Sequence, residues 1–122
     1  MRLVIGGKKQ GKLLYTMRKY KVSENQVSST FKESENARVF HNFQQAVQKL
    51  LASGEDPIKN LEYLLFINPD IIVICDEVGC GVVPVDREER AWRETVGRLC
   101  CWLAERAESV ERVFCGLGMR LK

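Results

Sequence analysis

Seven residues near the amino terminus, Gly6-Gly7-Lys8-Lys9-Gln10-Gly11-Lys12, combine two things that a polyphosphate requires of a protein. Glycines let successive backbone N–H groups turn inward around an anion, and a lysine ammonium adds a point charge beside the terminal phosphates. The run follows an apolar segment, Arg2-Leu3-Val4-Ile5, and precedes residues of helical periodicity, which is the strand–loop–helix layout of a phosphate-binding P-loop. The expected ligand is a nucleoside triphosphate, GTP or ATP, with Gly6, Gly7, Lys8, Lys9, Gln10, Gly11 and Lys12 around its phosphates and Lys12 as the cationic group. Such loops continue from the lysine to a Ser or Thr whose hydroxyl ligates Mg²⁺, but position 13 here is leucine, which has no oxygen to offer. Anion binding and phosphoryl transfer are therefore separate questions.

A second chemical feature lies at Ile71-Ile72-Val73-Ile74-Cys75-Asp76-Glu77, an apolar strand that ends in two acids. In open parallel sheets ligands sit outside the carboxyl ends of the strands, so an acid there faces the same crevice as the loop. Asp76 or Glu77 would hold Mg²⁺ through water, or Glu77 would accept a proton; the alternative is an acid that caps the next turn. Next comes Val78-Gly79-Cys80-Gly81-Val82-Val83-Pro84, whose glycines permit close approach of backbone to a ligand. Arg93 and Arg98 follow, and a guanidinium fork matches phosphate geometry, although arginines on a helix more often line a solvated face. His41 is the only imidazole; it is a nucleotidyl acceptor if exposed near the phosphates, and otherwise a helix-start residue packed beside Phe40 and Phe43.

These groups need a scaffold. Arg2 to Ile5, Ile71 to Cys75 and Val110 to Cys115 read as buried strands, apolar on successive residues as parallel strands covered on both faces are, with a weaker strand at Arg38 to Phe40. Helices are expected over Lys12 to Tyr20, Phe43 to Ala52, Pro57 to Ile67 and about Arg87 to Ala107. Gly54 stops one helix, and Asp56-Pro57 starts the next with an N-cap and a proline at the first helical position. Residues 23 to 37 are polar and aperiodic, and read as a long surface loop. The alternation of strand and helix predicts an α/β fold, a mostly parallel sheet flanked by helices.

Composition sets the outer bounds. With 122 residues, 45% hydrophobic and 29% charged, the chain suits one compact domain. A net charge of +3, with both signs interleaved, speaks weakly for anionic ligands and against nucleic acid. No stretch approaches the roughly 20 apolar residues of a membrane span, and no signal segment is recognisable, so a cytoplasmic protein is expected. Five cysteines, Cys75, Cys80, Cys100, Cys101 and Cys115, lack metal-site spacing and read as reduced thiols, mostly packed as small hydrophobes, with Cys80 the accessible one.

Four ordered motifs together carry a family resemblance. The GGxxxGK loop, Glu77-Val78-Gly79-Cys80-Gly81-Val82-Val83-Pro84, Trp92-Arg93-Glu94-Thr95-Val96-Gly97-Arg98 and Gly116-Leu117-Gly118-Met119-Arg120-Leu121-Lys122 resemble the bifunctional adenosylcobinamide kinase and adenosylcobinamide-phosphate guanylyltransferase family of cobalamin biosynthesis. The resemblance implies a RecA-like, three-layer P-loop fold, often trimeric. It also implies phosphorylation of a cobinamide side-chain hydroxyl, followed by GMP transfer from GTP through a guanylylated histidine. On that resemblance the helix arginines of the family fall on Arg93 and Arg98. Leu13, a compressed middle section and Cys100-Cys101 in place of an Asn-Gln pair depart from the family pattern. Those departures open the alternative of a catalytically degenerate nucleotide binder with an assembly or regulatory role.

Overall fold

A computed structural model describes residues 1–78 and 86–122. Strand β1 (Arg2–Gly6) leads through the 6–12 loop into helix α1 (Lys12–Tyr20). A 3₁₀ turn (Glu24–Gln26), β2 (Val27–Ser28), α2 (Phe31–Ser34) and β3 (Val39–Phe40) follow. Next come α3 (Phe43–Ala52), α4 (Pro57–Ile67), β4 (Ile72–Asp76), α5 (Arg87–Arg106), β5 (Ser109–Phe114) and β6 (Leu117–Arg120). The strands form one sheet in the order β2-β3-β4-β1-β5-β6, parallel except for the β5–β6 hairpin. The expected α/β class is therefore present.

The runs of successive apolar residues are explained by burial on both sides of the sheet. Leu3, Val73, Cys75 and Val110 face a cluster with Phe43, Val47, Leu61, Leu64, Val96, Leu99 and Leu103 from α3, α4 and α5. Their neighbours Val4, Ile72, Ile74 and Val113 face the opposite way, against Leu13 and Met17 of α1. A strand alternates its side chains between faces, so only a sheet covered on both can bury consecutive residues. On the α1 side, Glu111 of β5 is nearly buried and accepts hydrogen bonds from Tyr15, Lys19 and Tyr20, which ties the helix to the sheet. Burial pushes its carboxyl pKa up, but those three donors outweigh burial and hold it below the ordinary value.

The predicted caps hold: the Asp56 carboxylate accepts the Ile58 N–H, with Pro57 in the first turn of α4. Two expectations change. Residues 23–37 are not a featureless loop, because side-chain hydrogen bonds organise them where periodicity is absent. Ser23 and Gln26 form a capping box, Thr30 accepts the Glu33 N–H at the start of α2, and the hydroxyls of Ser28 and Ser34 are buried against each other. The thiols also differ from expectation: Cys75 is buried and Cys100 half-buried, their sulfurs 3.6 Å apart, whereas Cys101 and Cys115 are exposed. Cys80 and the two glycines beside it lie outside the described residues.

Candidate functional site

β1 is central, with β4 on one side and β5 on the other, and the 6–12 loop leaves its carboxyl end at this divide, the position where open α/β sheets bind ligands. Close approach fixes the residue type at Gly6: a Cβ there would lie 2.5 Å from the Val113 carbonyl oxygen and 3.2 Å from the Lys12 Cδ. Gly11 has φ +86°, a left-handed conformation that disfavours other residues, and sits against Gly116, whose Cα would be 3.3 Å from an added Cβ. Gln10 fastens the loop to this same turn. Its Oε1 accepts the Cys115 N–H at 2.8 Å and its carbonyl accepts the Gly116 N–H at 2.8 Å. The carboxy-terminal glycine motif therefore forms a wall of the loop.

Helix α1 starts at Lys12 with no side-chain cap, and its first intrahelical bond on this side is Tyr15 N–H to the Gly11 carbonyl. Its leading amides form an electropositive helix end. Lys12 folds back beneath the loop, 5% exposed, with its ammonium on the Gly7 carbonyl and on Asp76 Oδ1, both at 2.7 Å. The strand register explains this pair, because Gly6 is aligned with Asp76 across β1 and β4. Asp76 thus faces the loop rather than capping the next turn. Glu77 stands apart from the lysine: its N–H meets the Gly6 carbonyl and its carboxylate takes the Arg112 fork at 2.7 and 3.1 Å.

His41 directly follows β3, next to Phe40, whose ring packs with those of Phe31 and Phe43. It is half-buried and feels both Asp76 and Lys12. Burial lowers its pKa from the ordinary 6.5, a shift that Asp76 opposes and Lys12 reinforces. A neutral imidazole therefore faces the lysine–aspartate pair at neutral pH.

Behind Asp76, the first turn of α3 supplies a residue that the sequence did not single out. Gln44 is 3% exposed; its Oε1 accepts the Asp76 N–H at 3.0 Å and its carbonyl accepts the Trp92 indole N–H at 2.7 Å. It thereby links α3, β4 and α5. A cavity of about 360 Å³ opens here, walled by Lys8, Gln44, Asp76, Glu77, Trp92 and Arg93 among others. Arg93 reaches this cavity and pairs with Glu89 at 3.3 Å. Arg98 is exposed, and five residues on it lies roughly 140° around the helix from Arg93, so the structure does not bring these two arginines together. Lys8 and Lys9 are exposed at the crest of the loop, with Lys9 left-handed at φ 60°.

The donors available to a Mg²⁺ ion are few. Leu13 is packed into the apolar cluster under α1, and among the described residues no group of three or more His, Cys, Asp or Glu is arranged around a common point. Asp76 is the carboxylate nearest the loop lysine. One carboxylate fits an ion that arrives on nucleotide phosphates, which keeps most of its ligands from phosphate and water, but not a cage built by the protein alone. On the far side of the loop, a cavity of about 380 Å³ is lined by Gly11, Leu14, Tyr15, Arg18, Lys19 and Gly116.

Over 52 residues the chain is 36% identical to the bifunctional adenosylcobalamin biosynthesis protein CobU of Salmonella typhimurium, a stretch that covers 43% of this chain and 29% of that protein's length. The family model for cobinamide kinase / cobinamide phosphate guanyltransferase matches residues 55–121, which takes in α4, β4, α5 and the β5–β6 hairpin. Because that match covers more than half of its 122 residues, the chain belongs to the cobinamide kinase / cobinamide phosphate guanyltransferase family.

Proposed function

We propose that this protein binds a nucleoside triphosphate at the 6–12 loop and acts as an adenosylcobinamide kinase/guanylyltransferase-like enzyme that retains at least the phosphoryl-transfer half of that chemistry. The observation that carries the reading is the buried Lys12–Asp76 pair beneath an uncapped helix amino terminus. An incoming phosphate chain would take the Lys12 ammonium and the leading amides of α1, with Gly6, Gly7 and Gly11 keeping the cradle open and Lys8, Lys9 and Gln10 at its rim. Releasing Lys12 frees Asp76 to meet, through water, a Mg²⁺ ion carried by the nucleotide; such an ion neutralises charge on the transferring phosphoryl group. Glu77, held by Arg112, stands at the cavity as the candidate proton acceptor, and Arg93 as the candidate phosphate-facing guanidinium, with Arg98 left to the solvated face. The whole of residues 1–122 serves as one nucleotide-binding domain in this reading, within the cytoplasm. Phe114, Leu117 and Met119, exposed along the β5–β6 edge, favour association of identical copies.

Titration of the protein with GTP and with ATP, each with and without Mg²⁺, followed by an assay of phosphate transfer to adenosylcobinamide, tests the proposal. Lys12→Ala is expected to weaken nucleotide binding by at least about 100-fold, since it removes a buried charge-assisted contact; unchanged affinity sinks the reading. A second reading, a nucleotide binder without turnover, is favoured by Leu13, which fills the Mg²⁺-ligand position with an apolar side chain. Nucleotide binding without transfer to adenosylcobinamide would select it.

A further inference from the structure

The α5 side of the sheet holds two sulfur atoms that the proposed phosphoryl chemistry does not use. Cys75 on β4 is fully buried and Cys100 on α5 is half-buried, with their Sγ atoms 3.6 Å apart. Strand alternation brings them together, because Cys75 points to the helix-covered face with Leu3 and Val110, whereas Asp76 turns the opposite way toward Lys12. The Cys75 thiol also donates to the Asp76 carbonyl at 3.3 Å, so this sulfur is bonded to the backbone that carries the loop lysine's partner.

The two thiols differ in access. Cys100 lines an open cavity of about 350 Å³, with Leu3, Ile5, Ala104 and Leu121 around it and Lys122 the one charged wall among the described residues. A small uncharged oxidant enters such an apolar opening without the desolvation cost that an ion would meet. It reaches Cys100 directly, and the enclosed Cys75 only by way of Cys100. Cys101 shares the cavity, but consecutive residues lie roughly 100° apart around a helix, and it is Cys100 that meets Cys75.

We propose that Cys100 and Cys75 form a reversible oxidation site for an uncharged hydroperoxide, Cys100 as the attacking thiol and Cys75 as the resolving one, and that their disulfide latches the end of β4 to α5. The Cys100 thiolate attacks one oxygen of the hydroperoxide; an S–O bond forms, the O–O bond breaks, and the departing alkoxide takes up the thiol's proton to leave as an alcohol, or as water from hydrogen peroxide. Cys75 then attacks the sulfenic sulfur; the S–S bond forms, the S–O bond breaks, and the hydroxide leaves as water with the Cys75 proton. Two thiols lose two electrons and the hydroperoxide gains them. Closing the bond brings the sulfurs together by about 1.6 Å, from 3.6 Å to about 2.05 Å. The bridge fixes the residue before Asp76 to the helix, so the strand end no longer shifts independently of α5. A dithiol reductant reverses it, as befits a pair whose resting state is two free thiols.

The test exposes the reduced full chain to hydrogen peroxide or tert-butyl hydroperoxide, digests it without reductant and weighs the peptides. A Cys75–Cys100 cross-link is expected, with the loss of two hydrogens and full reversal by dithiothreitol. Hydrogen exchange at the Asp76 N–H should slow by at least about tenfold in the oxidised protein, because the bridge restrains the strand end. Cys75→Ser should stop Cys100 at the sulfenic acid, which a cyclic dione captures, and Cys100→Ser should slow oxidation of Cys75 by at least about tenfold. The peptide map of the wild-type chain decides the matter even where a variant fails to fold. A bridge through Cys80, Cys101 or Cys115, or one between two chains, overturns the proposal. So does oxidation of Cys100 to the sulfinic acid with Cys75 still a thiol, or exchange at Asp76 that oxidation leaves unchanged.

Discussion

The amino-terminal and carboxy-terminal parts of the chain contribute to the candidate site in different ways. Residues 1–54, outside the family match, supply the loop, the lysine, His41 and Gln44; residues 55–121, inside it, supply Asp76, Glu77, Arg93 and the glycine turn at 115–118 that backs the loop. The matched part contributes the acids, Arg93 and the walls, and the unmatched part contributes the loop cations and the Gln44 amide. Neither makes a site by itself, since the loop lysine is neutralised by a β4 carboxylate and the loop is held in shape by the β5–β6 turn. The family-model match over residues 55–121 therefore reports on half of an electrostatic pair, and the other half follows from geometry.

Breaking that dependence should cost most at Asp76. Asp76→Ala leaves the Lys12 ammonium buried with only the Gly7 carbonyl for company, and about 2–4 kcal/mol of stability should be lost in urea denaturation, toward the lower end because Asp76 is partly exposed. A loss below about 0.5 kcal/mol would mean that the two parts are not coupled here. Gln10→Ala is the milder cut: it removes the bond to the Cys115 amide, for about 1 kcal/mol, and should accelerate hydrogen exchange at Cys115 selectively. Unaltered exchange there would show that the turn holds the loop by packing instead.

The smallest effect concerns His41, and its sign is fixed. Because the folded imidazole titrates below 6.5, the unfolded chain takes up the proton first as pH falls. The stability linked to this group is therefore complete above about pH 6.5 and declines through the acid side of that value, levelling off below the folded pKa. Thermal melts between pH 7.5 and 5.5 should show a shallower decline for His41→Gln than for wild type. Parallel curves would place the imidazole in water, away from Lys12.

Much of the scaffold was legible because its signals are local. Asp56-Pro57 marks a helix start chemically, and the continuous apolar strands at 2–5 and 71–75 imply a sheet covered on both faces. Residues 23–37 were not, since hydroxyl and amide side chains there replace periodic burial as the organising force, and β6 was missed because all four of its residues are exposed and only pairing with β5 makes it a strand. The loop and the acid at the end of β4 were each readable; their contact was not, because it depends on the alignment of Gly6 with Asp76. Gln44 gave no signal at all. A glutamine in a first helical turn is ordinary until a neighbouring strand end and an indole converge on it.

The bonds from Gln10 to residues 115 and 116 also set an order of events during synthesis. A ribosome that has made the loop has still to make about a hundred residues before the turn that backs it emerges, at roughly 5–20 residues per second. For those seconds the lysine-bearing bend is an unsupported glycine-rich segment. On the proposed function, competence to hold an anion would be acquired late, in one step, when the β5–β6 hairpin closes against the 6–12 loop.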